Sequence, residues 1–68
     1  TRLGRILSKF DDNGDALGEL YLLVLSREPS AREVQIAKEY LVEVGNRREA
    51  FEDLMWSLLN SSEFLSKR

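Results

Sequence analysis

Three times in 68 residues a small polar side chain stands three positions ahead of a glutamate: Ser30 with Glu33, Asn46 with Glu49 and Asn60 with Glu63. That spacing starts helices. The polar oxygen accepts a free backbone N–H of the first turn, and the glutamate reaches back to the capping residue's own N–H. Between these points the apolar residues recur at steps of three and four. Leu3, Ile6, Leu7 and Phe10 form a first stripe. Leu17, Leu20, Tyr21, Val24 and Leu25 form a second, widened by Leu22 and Leu23. Val34, Ala37, Leu41 and Val44 form a third, with Tyr40 beside it. Ala50, Phe51, Leu54, Met55, Leu58 and Leu59 form a fourth. This is the period of amphipathic helices, and no alternation of strand type appears.

The breaks between stripes agree with it. The "DDNGD" run, residues 11–15, reads as a loop, with the second helix running from about Asp15 to Ser26. In "SREPS" the proline disfavours helical geometry at Glu28, and Ser30 opens the third helix. Gly45 supplies a left-handed stop, and Asn46 opens the fourth helix. Asn60 or Ser61 then caps a last short helical turn, onto which Phe64 and Leu65 fold back. The expected fold is an all-α single domain over residues 1–68. It is a small bundle of four main helices plus a short C-terminal helical turn, with the second helix central.

Composition excludes several kinds of chemistry. There is no cysteine, hence no disulfide and no thiolate metal site. The lack of histidine removes the commonest general base and the commonest transition-metal ligand. The "DDNGD" run fails as a calcium loop. With Gly14 at the sixth position, the first ligand position is Lys9 and the twelfth is Leu20, and neither can coordinate the ion. Glu39 with Glu43, and Glu52 with Asp53, are carboxylate pairs on solvated faces beside Arg32, Lys38 and Arg47. A domain of this size offers little cleft to tune them for acid–base work. No catalytic residue, cofactor or metal is assigned, and no apolar run approaches a bilayer span; the longest, Leu20 to Leu25, is six residues.

Two surfaces remain for binding. Large apolar residues exceed what so small a core needs, so Trp56, Met55, Leu22 and Leu23, with Arg27 beside them, are read as an interaction surface. Trp56 faces away from the fourth stripe; it packs on Phe64 or meets a partner, and an exposed Trp56 supports weak homodimerisation. Arg27, Arg32, Arg47 and Arg48 can instead gather at helix ends as an anion or nucleic-acid contact. Against this, 12 acidic residues outnumber 10 basic ones, for a net charge of −2. The bland reading of these arginines is local pairing, such as Glu28 with Arg32. A polar tie joining Tyr21, Arg27 and Glu63 is also expected, linking the proline turn to the last joint.

The stretches "ELYLLVLSREPSAREV", residues 19–34, and "REAFEDLMWSLLNSSEFL", residues 48–65, resemble the C-terminal end of the planctomycete domain of unknown function 1553 family. Its members carry a Leu-Tyr…Leu-Ser/Thr-Arg-x-Pro stretch, matched by Leu20, Tyr21, Leu25, Ser26, Arg27 and Pro29. They then carry an Asp-Leu-x-Trp…Asn-Ser-x-Glu-Phe-Leu stretch, matched by Asp53, Leu54, Trp56, Asn60, Ser61, Glu63, Phe64 and Leu65. "RLGRIL" is similar to the family's run-up, whereas the end, Ser66, Lys67 and Arg68, departs from its Phe-Asn-His tail. A looser likeness is to a second bacterial helical family of unknown function. The resemblance implies a C-terminal module of a larger, extracytoplasmic protein; a chain beginning at Thr1 without Met is expected to be an excised fragment, without activity of its own and packed on the remainder of its parent or on a protein partner. Relatives with cytochrome-like segments carry them far upstream, and this chain has no haem-attachment motif.

Overall fold

Side chains set the helix boundaries by satisfying the free donors of each first turn. Asp12 accepts the Asp15 N–H at 3.0 Å and opens one helix. Ser30 accepts the Glu33 N–H at 3.2 Å while Glu33 accepts the Ser30 N–H at 2.8 Å, a reciprocal box. Asn46 accepts the Glu49 N–H at 3.0 Å. The computed structural model describes residues 2–61, and among them are four helices and no strand: α1 (Arg2–Lys9), α2 (Asn13–Leu25), α3 (Ala31–Val44) and α4 (Arg47–Leu59). The fold is the expected all-α bundle. The expected C-terminal turn, with Glu63, Phe64 and Leu65, lies outside the described residues.

Two boundaries have reasons that the sequence pattern did not show. First, α2 begins at Asn13, not near Asp15. Asp12 is the cap, and its carbonyl already accepts the Ala16 N–H at 3.0 Å, so half of "DDNGD" is first turn. Second, α2 ends on Ser26 in the left-handed region (φ 60°, ψ 28°), a conformation that costs a non-glycine residue free energy. Gly45 takes the same role after α3 at φ 75°, without that penalty, as its position predicts. At the other end of α4, Asn60 and Ser61 close the helix they follow. Asn60 donates twice to the Trp56 carbonyl, from its amide side chain at 2.8 Å and its backbone at 3.1 Å, and Ser61 Oγ donates to the Leu58 carbonyl at 2.8 Å.

α2 and α4 each pack against all the other helices, whereas α1 and α3 do not pack against each other. α2 carries the densest set of buried residues: Ala16, Leu17, Leu20, Tyr21, Val24 and Leu25. Leu3, Ala37, Leu41, Ala50 and Phe51 complete the core, with Val34, Tyr40, Leu54, Met55 and Leu58 packed half-buried around it. The helical spacing placed each of these inward except Ala16, which the stripe of α2 left out. Leu22 and Leu23 stay on the far side of α2, 44% and 41% exposed.

Candidate functional site

Two of the four arginines considered for anion binding are used inside the fold. Arg27 holds Glu33 with a two-pronged bond, both nitrogens at 2.9 Å from the carboxylate oxygens, and also donates to the Glu28 carbonyl at 2.9 Å. Its guanidinium lies 5.5 Å from the centre of the Tyr21 ring. The Tyr21–Arg27 half of the expected tie is therefore present, and the acid shown beside it is Glu33; Glu63 lies outside the described residues. The Glu28–Arg32 pair is not formed. Among the described residues the ion pairs are Arg27–Glu33 and Arg48–Glu52, the latter at 3.6 Å.

Glu33 thus serves twice, as capping-box acid for α3 and as counter-ion for Arg27. The Arg27 hydrogen bonds, then the Ser30 N–H, hold its carboxyl down at about 2. A depressed carboxyl stabilises the fold above its unfolded value of 4.5 and loses that contribution as the pH falls toward 2. Both side chains are about one-third exposed (37% and 32%), so solvent screening reduces the contribution to about 1–2 kcal/mol. Urea midpoints measured from pH 6 to pH 2 should therefore fall more steeply for the wild type than for Glu33→Gln, with the difference confined to this window. Parallel curves would show that the pair contributes nothing.

Arg47 is the second internal arginine. It reaches from the start of α4 to the end of α1. Nε donates to Asn13 Oδ1 at 2.7 Å, one terminal nitrogen donates to the Leu7 carbonyl at 3.0 Å, and the other donates to the Phe10 carbonyl. Tyr40 donates to Asp53 at 2.7 Å, tying α3 to α4, and that bond holds the phenol proton above its ordinary range. None of these networks leaves a buried side-chain polar atom unsatisfied, and among the described residues no group of three or more acids gathers as a metal would require. These donors and acceptors join the helices to one another.

One part of the outward surface is apolar and basic. The expected surface divides. Trp56 is 62% exposed on α4, Met55 is half-buried against the core, and Arg27 is held as above. Leu22 and Leu23 do come together, in an open groove lined by Arg2, Arg5, Ile6 and Glu19. Arg5 also belongs to a second groove, with Gly4, Ser8, Lys9 and Arg48. Sequence reading missed this continuity. The available signal was the spacing of Arg2, Arg5 and Lys9, at i, i+3 and i+7 on a helix without an acid, which lies beside the apolar stripe already noted. Comparison of the chain with protein-family models, with curated proteins and with solved structures finds no match.

Proposed function

We propose that this chain is a helical protein-interaction module that packs onto the rest of a larger bacterial protein or onto a protein partner, with no catalytic activity of its own. The carrying observation is the groove in which Leu22 and Leu23, 44% and 41% exposed, lie beside Ile6. Isolated exposed leucines are ordinary on any surface; a contiguous apolar strip rimmed by charge is a contact surface. Trp56, at 62% exposure, offers a separate aromatic anchor. The resemblance to the C-terminal end of the planctomycete family supports the same reading.

Anion binding through Arg27, Arg32, Arg47 and Arg48 is the weaker reading, because Arg27 and Arg47 already spend their donors on Glu33 and on the end of α1. Hydroxyl-radical footprinting of the domain alone and within its full-length parent tests the module reading. Leu22, Leu23 and Trp56 should label readily in the domain, and at least one of the two surfaces should be protected in the parent. Equal labelling of both in the two forms would remove the proposal.

A further inference from the structure

The two grooves that share Arg5 form one surface of mixed chemistry, and we infer that it receives an acidic amphipathic helix from a protein partner; this rests on the interaction-module reading. The apolar half is Ile6, Leu22 and Leu23. The basic part is Arg2, Arg5, Lys9 and Arg48, and among the described residues Glu19 is the only acid lining either groove. Four cations against one acid is a local reversal of sign on a chain whose net charge is −2. Arg2 and Arg5 make no ion pair with any described residue, so this charge is not neutralised within the described fold. Among the described residues Arg48 is held by the 3.6 Å contact to exposed Glu52.

The geometry selects the occupant. Arg5 and Lys9 are four residues apart on one helix face, about 6 Å along the axis, which is also the spacing of two carboxylates at i and i+4 on another helix. Gly4 and Ser8 line the same groove and offer little side chain to hold a partner off. An amphipathic helix lays its apolar stripe into such a groove and sets its charged flanks on the rim. A nucleic-acid backbone would use the cations and leave Ile6, Leu22 and Leu23 without a purpose. The apolar half therefore decides for a protein helix, and the basic rim decides that the helix is acidic.

The test uses two synthetic helices with the same leucine stripe, one flanked by glutamates and one by lysines, titrated into the isotope-labelled domain. The glutamate helix should shift amide signals of residues 2–9 and 19–23, bind at least about tenfold more tightly than the lysine helix, and weaken as salt rises. Arg2→Gln with Arg5→Gln should erase most of that preference. Both positions are exposed, and an unchanged far-UV spectrum verifies folding. Equal binding of the two helices, shifts centred on Trp56, or no shift at all would overturn the inference. So would self-association through these residues without peptide, or tighter binding to duplex DNA. Protection of Trp56 alone in the full-length footprint would sink this inference and leave the module reading standing.

Discussion

Phe51→Ala should leave the domain barely folded or unfolded at 25 °C. Phe51 is fully buried and is the largest such side chain, on one of the two helices that pack against all the others. It belongs to one contiguous core with Leu3, Leu17, Leu20 and Leu41. Truncating a buried phenylalanine costs about 3–5 kcal/mol, because lost transfer free energy adds to the cavity left behind. A single core in a chain of 68 residues supplies about 3–5 kcal/mol, so little or nothing would remain. Urea unfolding followed by far-UV circular dichroism should show the native baseline shortened or gone. Phe51→Leu, which keeps most of the volume, should cost about 1–1.5 kcal/mol. Trp56→Ala, five positions on, should cost about 1 kcal/mol or less, since that ring is 62% exposed. A Phe51→Ala midpoint close to wild type would mean that the core is not organised around this helix.

That contrast shows what was legible in the sequence and what was not. Which residues of α4 face inward follows from period alone, so Ala50 and Phe51 were placed in the core and Trp56 outside it. The Ser30 and Asn46 caps were legible because their partners lie three residues away. Asp12 was missed as a cap because Asn13 and Gly14, both turn formers, mask the first turn that follows it. The surface was harder. The excess of apolar residues on α2 was visible, but whether Leu22 and Leu23 meet a fifth element, a partner or water depends on packing that local pattern does not encode. Arg27 posed a related problem: its bond to Glu33, six positions on across the proline turn, follows no helical spacing. The reciprocal capping box fixes Glu33 beside it, since an acid already held by the Ser30 N–H meets Arg27 with little further loss of side-chain freedom.

Arg47 is the residue whose role was least legible, and its replacement should have the second-largest effect. Its acceptors lie 34 to 40 positions away, so no local rule finds them. One clue was available. A cation in the first turn of a helix opposes that helix's own dipole, and such a local misfit needs compensation elsewhere. The compensation is at the other end of α1, where the Leu7 carbonyl has no helical partner and the dipole favours positive charge. Arg47→Ala strands the Leu7 and Phe10 carbonyls and Asn13 Oδ1, and removes the guanidinium lying 5.7 Å from the Phe51 ring centre. The expected loss is about 2–3 kcal/mol. Lysine carries the charge without the fork, so Arg47→Lys should recover less than half of it. Hydrogen exchange separates this from a general weakening, because α1 is joined to the bundle through α2 and α4 but not α3. Its amides should open first in Arg47→Ala, while those of α2 to α4 keep the protection set by global unfolding of the variant. If α1 and α3 lost protection together, the arginine would act on the core as a whole rather than fastening the first helix.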